Sequence, residues 1–360
     1  MKYTSTFLTL LCILLSGCSK KSQPPAIPVP RVKVAPVSVL DIPITVPGIG
    51  HVTAYNSANI QSQVEGELIE ISYTEGQLVQ KGDLLVTIDP RIYEAELKDA
   101  EGSLVETKAK KAFAANKQER YAKLVKDQFV SELNFFEYVT NNEEADGLLI
   151  QSEAMVQKNA VTLDYCYIKA PFTGRCSKKL VDVGNLILNG QQTLLTINQI
   201  SPIYIDFSVP EFDLPKILNY YKQQDLFVNV QVNGSDNSYK AKLIVVDNMI
   251  DEKTGTIPLR AEYENIEEAL WPGQFARCEL VLYQKKDALM VPQSAVTVGR
   301  FGEFVAVIDK NNTAKVVWIK TGEKYKDLVE VFSDEIRSTD RVVIDGQINI
   351  FDGAKVNVVN

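Results

Sequence analysis

Val64-Glu65-Gly66-Glu67-Leu68-Ile69-Glu70-Ile71, continuing through Glu75-Gly76-Gln77-Leu78-Val79 to Lys81-Gly82-Asp83-Leu84-Leu85, is written twice in this chain. Its second copy is Pro171-Phe172-Thr173-Gly174-Arg175, Val183-Gly184-Asn185-Leu186-Ile187 and Asn189-Gly190-Gln191. Gly66, Gly76 and Gly82 recur as Gly174, Gly184 and Gly190, each 108 positions further on. Apolar strand residues keep the same phase around them, which marks an internal repeat. Glycine at fixed places in a strand pattern signals tight turns or bulges. Each copy therefore reads as half of a small β unit.

Between the copies the pattern changes. Asp89-Pro90 is a helix start, with aspartate as the expected N-cap and proline in the first turn. Strong helix formers then run to about Lys126. A seam recurs at three- and four-residue steps: Leu97, Ala100, Leu104, Thr107, Lys111, Ala114, Gln118, Tyr121 and Val125. The polar Lys111 and Gln118 weaken it. After the break at 126–130, Ser131 fits an N-cap for a second helix that runs to about Leu163. Its seam is Tyr138, Ala145, Leu149, Val156 and Leu163. Two such helices predict an antiparallel coiled-coil hairpin with a reach of roughly 50 Å. It leaves from the end of one half-unit and returns at the start of the other. The two halves can then pair into one sandwich.

The remainder reads as β structure. Residues 31–52 give one or two strands broken at Pro36, Pro43 and Pro47. Runs at 203–209, 226–232, 241–246, 257–263 and 275–282 surround a short helix at 211–221, which suits a small barrel. Runs at 305–308, 316–319, 328–332 and 341–344 form a further β domain that the N-terminal strands complete.

The chain begins with a targeting signal. Lys2 precedes an apolar run, Phe7 to Leu15, too short to span a bilayer. Leu15-Ser16-Gly17-Cys18 resembles a bacterial lipobox, which makes Cys18 the expected site of lipidation (palmitate) and the new N-terminus. Acyl chains would tether the protein to a membrane. The stretch Lys20 to Pro30, with Pro24, Pro25, Pro28 and Pro30, is an extended spacer. Three cysteines remain: Cys166, Cys176 and Cys278. A Cys166–Cys176 disulfide across a hairpin is one option; the reading favours burial as small apolar residues.

Several function classes recede. Loss of residues 1–17 takes the net charge from −8 to −9, and an acidic chain without basic clusters does not suit nucleic acid. With His51 as its sole histidine, the chain has little scope for histidine catalysis or metal ligation. No catalytic constellation or phosphate loop is evident, so neither an enzyme nor a cofactor is expected, and no metal site. The methionines, Met1, Met155, Met249 and Met290, are scattered, which disfavours soft-metal export.

Each copy of the repeat resembles half of a biotinyl/lipoyl domain. A split lipoyl-like sandwich with a coiled-coil insertion is the hallmark of periplasmic adaptor subunits, or membrane fusion proteins, of tripartite efflux pumps. Further motifs are similar to that family in order: Gln199-Ile200-Ser201-Pro202-Ile203-Tyr204-Ile205-Asp206-Phe207-Ser208-Val209-Pro210-Glu211, Asp251-Glu252-Lys253-Thr254-Gly255-Thr256-Ile257-Pro258-Leu259-Arg260-Ala261, Leu270-Trp271-Pro272-Gly273-Gln274-Phe275 and Val291-Pro292-Gln293-Ser294-Ala295-Val296. The second and third of these resemble the barrel's Thr-Gly-Thr segment and its Leu-x-Pro-Gly turn. The resemblance implies a mainly β, multidomain fold with five regions beyond the signal peptide (1–17). These are a tether (18–30), a membrane-proximal β domain (31–50 with 284–360), a split lipoyl-like domain (53–90 with 164–199), the helical hairpin (91–163) and a β-barrel (200–283).

It also implies partners. Arg120, Leu124 and Ser131 match the family's hairpin-tip motif, which meets the periplasmic end of an outer-membrane channel. Arginine supplies a fixed fork of donors, leucine fills a groove and serine caps the second helix. The implied assembly links an inner-membrane transporter of the resistance-nodulation-division (RND) type to that channel for export of drugs or other small molecules. It requires self-association into a ring, trimeric or hexameric. The implied location is the periplasm, lipid-anchored at the inner membrane. Two alternatives stay open: an adaptor of an ATP-driven (ABC-type) exporter, and a lipoyl or biotinyl carrier or enzyme domain. The latter needs a modified lysine on the tip turn, where this chain instead carries the hairpin.

Overall fold

A computed structural model describes residues 29–234 and 237–359. Cys18 and most of the expected tether lie outside the described residues. The described residues divide into two compact units, 45–282 and 29–44 with 283–359. The first crossing falls inside the strand Ser38–Gln61, at Ile44–Thr45, ahead of the expected boundary at residue 50.

In unit 45–282 the two copies of the repeat share one core. Leu68, Leu85 and Ile88 of the first pack with Cys166, Cys176, Ile187, Leu195 and Ile197 from the second copy and its flanks. Burying such side chains stabilises by about 1.5–3 kcal/mol each. The copies exchange backbone hydrogen bonds symmetrically. Gly76 N–H donates to Cys176 O (3.2 Å) and Gly184 N–H to Leu68 O (2.8 Å). Gly82 N–H donates to Ala170 O (2.8 Å) and Gly190 N–H to Ser62 O (2.9 Å). The strand pairs follow the same rule: Val79 opposes Gly174 and Gly66 opposes Ile187. Every pair maps onto its counterpart by the same sequence offset, so the repeat is a local two-fold. The turn glycines Gly76, Gly82, Gly184 and Gly190 take φ of +77°, +94°, +90° and +65°, where a Cβ is strained. Gly66 and Gly174 answer a different need. A Cβ there would come within 2.7 Å of Ile88 Cγ2 and 2.8 Å of Asn198 O respectively, in the packed sandwich.

The sandwich passes directly into helix α1 (Arg91–Lys126) and receives helix α2 (Glu132–Asp164) back. Asp89 is not the N-cap: Pro90 occupies that place, and Asp89 acts from one residue further out. It accepts the Arg91 amide at 3.1 Å and pairs with the Arg91 guanidinium, which holds its carboxyl below the usual range. Only Ala100 and Ala145 are buried in the two helices, so neither lies flat against a sheet. The expected seam faces inward, but its polar members do not merely weaken it. Lys111 pairs with Asp146 at 2.6 Å, Asn142 donates to Gln118 at 2.6 Å, and Thr107 meets Ser152 at 3.0 Å. Each polar residue faces a polar partner across the hairpin. A register slip would strand these groups, so the layers fix the alignment of the helices at some cost in stability.

The barrel follows. Antiparallel neighbours run Phe275–Pro292, Phe227–Val232, Ser238–Val246, Thr256–Tyr263, Thr193–Pro210 and Ser38–Gln61. Val52 then closes the circle through Gln274 O (2.9 Å) and the Gly273 amide (2.8 Å). Inward residues such as Ile205, Phe207, Val228, Leu259 and Leu280 fill it, with Ile217 of the short helix α3 (Leu214–Tyr221) among them. Pro43 and Pro47 do not break the long strand as expected. The strand pairs with both Phe275–Pro292 and Thr193–Pro210, and its ladder with the latter begins only at Ile49, beyond both prolines.

The other unit is built from the strands Arg31–Pro36, Thr297–Gly299, Gly302–Ile308, Ala314–Tyr325, Leu328–Phe332, Arg341–Asp345 and Asn357–Val358, with parts of the two long strands. Val291, Val305, Val317, Val331 and Val342 centre one core, and Val32, Ala306, Ile308 and Val343 another. Glu330 is buried and is paired with Lys285 at 2.7 Å. Cys166, Cys176 and Cys278 are all free and buried, so no disulfide forms. Burial pushes the Cys278 thiol up to about 12; burial, with Asp89 and Glu94, takes Cys166 to about 11.

Candidate docking site at the hairpin turn

Helix α1 ends at Lys126 because the chain turns left-handed two residues later, at Gln128 with φ +57°. The amides of Gln128 and Phe129 return to Val125 O and Leu124 O, both at 3.0 Å. These bonds take up carbonyls that the helix end leaves open. Ser131 is the N-cap of α2: its backbone is extended, and its Oγ accepts the Asn134 amide at 3.3 Å. Lys123 and Lys126 lie in the last turn of α1, where the helix dipole favours cations.

Arg120 and Leu124 stand one turn apart on α1, on the approach to this bend. Arg120 is exposed and makes no ion pair among the described residues. Its neighbour Lys123 is paired with Glu119 instead, at 3.1 Å. Leu124 is partly exposed and is tied to the turn through its carbonyl. The structure thus collects Arg120, Leu124 and Ser131 around one bend and leaves the arginine fork open. Beneath them Tyr121 stacks on Tyr138 with ring centroids 4.0 Å apart, and Lys117 Nζ lies over the Tyr138 ring at 5.6 Å. This aromatic layer braces the two helices just before they part.

Sequence reasoning missed three residues here. Phe129 is 77% exposed, Leu133 82% and Phe136 69%. Their signal was present: they are apolar and lie outside the seam that Tyr138 and Ala145 set. Together they make an exposed apolar patch beside Arg120 and Leu124. Among the described residues no cluster of three or more His, Cys, Asp or Glu could hold a metal ion. No described helix is long and apolar enough to cross a membrane.

Comparison with known proteins agrees with this architecture segment by segment. Residues 56–199 match the family described as "RND MFP, barrel-sandwich hybrid domain", 202–283 the "RND MFPs, beta-barrel domain" and 287–348 the "RND MFPs, C-terminal permuted SH3 domain". The chain is 34% identical to the multidrug resistance protein MdtA of Proteus mirabilis over 335 residues, 92% of this chain and 81% of that protein. It is 35% identical to MdtA of Pectobacterium carotovorum over 331 residues, 91% of this chain and 80% of the relative. Among solved structures, a MacA–MexA chimera carrying the Pseudomonas aeruginosa MexA α-hairpin superposes with a TM-score of 0.55 at 25% identity. It covers 71% of this chain and 87% of the chimera. MacA from Actinobacillus actinomycetemcomitans shares the fold, with a TM-score of 0.58 at 21% identity, 86% of this chain and 99% of that one.

Proposed function

The chain belongs to the membrane fusion protein family of RND efflux systems, and we propose that it is the periplasmic adaptor joining an inner-membrane RND transporter to an outer-membrane channel. The cargo is drugs or other small molecules. The observation that carries this reading is the similarity to MdtA along 92% of the chain, with the three RND family segments in order.

Such an adaptor breaks no bonds. Its work is to hold two membrane proteins in register and to wall the passage between them. The hairpin bend is the channel contact in this reading: Arg120 offers its fork to carbonyls or carboxylates, and Leu124 with Phe129 and Leu133 fills the groove beside it. Enclosing a passage requires several copies, so the chain closes into a ring of three or six. Lipid on Cys18 anchors it at the inner membrane. The ABC-type alternative is weaker, because each matched segment carries an RND description. In-cell cross-linking followed by purification of this chain is expected to bring down an RND transporter. An ABC transporter in its place would overturn the assignment.

A further inference from the structure

We propose that the end of the β unit 29–44 with 283–359 from which the tether departs is a membrane-docking surface, on which Phe301 and Ile348 insert into the phospholipid interface. Three strands place the relevant residues together. Arg31–Pro36 and Gly302–Ile308 both run antiparallel to Arg341–Asp345, pairing Lys33 with Asp345 and Val307 with Val342. They are therefore parallel to one another and begin at the same end of the sheet. At that end the chain arrives from residue 28. There too lies the two-residue turn Arg300-Phe301, between the paired Gly299 and Gly302. Arg341–Asp345 finishes at that end and leads into Ile348. The approach is close: a Cβ on Gly346 would come within 2.4 Å of Arg31 O.

Large apolar side chains are exposed at this end. Ile348 is 97% exposed, Phe301 83% and Val298 79%, and Val29 is also exposed. They are held out rather than loose. Phe301 meets Trp318 edge-on at 6.1 Å, Trp318 meets Phe304 at 5.4 Å, and Gln347 Nε2 donates to Ser294 O at 2.6 Å beside Ile348. Phenylalanine, tryptophan and arginine together suit the boundary between headgroups and acyl chains. Arg300, over the Phe301 ring at 5.8 Å, and the exposed Arg31 and Lys33 supply cations for anionic headgroups, with Asp345 and Glu303 the opposing charges.

The tether sets the distance. If Cys18 carries the lipid, residues 19–28 span at most about 35 Å fully extended, so this end of the sheet stays within that reach of the bilayer. That step rests on the lipidation proposed above, which radioactive palmitate labelling of the wild type and of Cys18→Ala tests separately. The docking test therefore uses residues 19–360, without leader or acyl groups, in a Trp271→Phe background so that Trp318 alone reports. Vesicles of phosphatidylethanolamine and phosphatidylglycerol are expected to co-sediment this chain and shift Trp318 emission to the blue. Phe301→Ser and Ile348→Ser should each weaken vesicle binding about tenfold, with the circular dichroism unchanged. Failure of the unsubstituted chain to bind vesicles, or equal binding by the variants, overturns the proposal. Loss of transporter co-purification in the variants without any vesicle affinity would do the same and give the surface to a protein partner.

Discussion

Arg120→Asp is expected to abolish the resistance this chain confers while leaving its fold untouched. The side chain is exposed and unpaired by any carboxylate among the described residues, so its removal disturbs nothing that stabilises the hairpin. Exposed substitutions of this kind fall within about 0.5 kcal/mol. A like-charge juxtaposition at an interface costs several kcal/mol, enough to lower affinity a hundredfold or more. Resistance measured in a strain lacking the native gene should fall to the level of that strain, with the melting curve unchanged. Arg120→Lys should keep part of the function, because the charge survives and the planar fork does not. Full resistance in Arg120→Asp would show that the bend makes no contact of consequence.

The largest loss of stability is expected at Asn265. It is buried in the loop that follows Thr256–Tyr263, with φ +49°. Its Nδ2 donates to Ile200 O at 2.7 Å and Leu270 O at 2.9 Å, and its Oδ1 accepts the Leu270 amide at 3.0 Å. Asn265→Ala orphans three buried backbone groups at about 1–3 kcal/mol each and puts a less tolerant residue in the left-handed region. The sum is on the order of 4 kcal/mol, well above an ordinary substitution. Denaturant unfolding should show a much lower midpoint. Asn265→Asp should not rescue it, because a carboxylate would face two carbonyls. The loop also carries Glu268 and Trp271, which meet Arg175 of the repeat's second copy by ion pair and ring contact. Weakening the loop therefore loosens the sandwich from the barrel. A midpoint within error of wild type would mean that the three bonds are dispensable.

Much of this was legible in the sequence, for definite reasons. The repeat announced itself because the same backbone demands, tight turns and close strand approaches, recur at both copies and both call for glycine. The hairpin was legible because its seam keeps a three- and four-residue step. What stayed hidden was pairwise. Lys111 and Gln118 looked like flaws, since their partners Asp146 and Asn142 lie across the hairpin and no single-helix pattern links them. Phe129, Leu133 and Phe136 were passed over because a search for inward faces discards apolar residues that point outward. Pro43 and Pro47 looked like strand breakers, because which neighbour a backbone amide would address depends on the ladder and not on the residue. The carrier reading loses its ground for a simple reason: the turn that would display a modified lysine is occupied by α1 and α2.

Photo-cross-linking tests most directly whether the bend reaches an outer-membrane channel. A benzoylphenylalanine placed at Phe129 in the full-length chain, irradiated in intact cells, should give an adduct that mass spectrometry identifies as an outer-membrane channel protein. The same probe at Val105, exposed midway along α1, should give none. Adducts at Phe129 only with inner-membrane proteins, or the channel captured from Val105 and not from Phe129, would contradict the account.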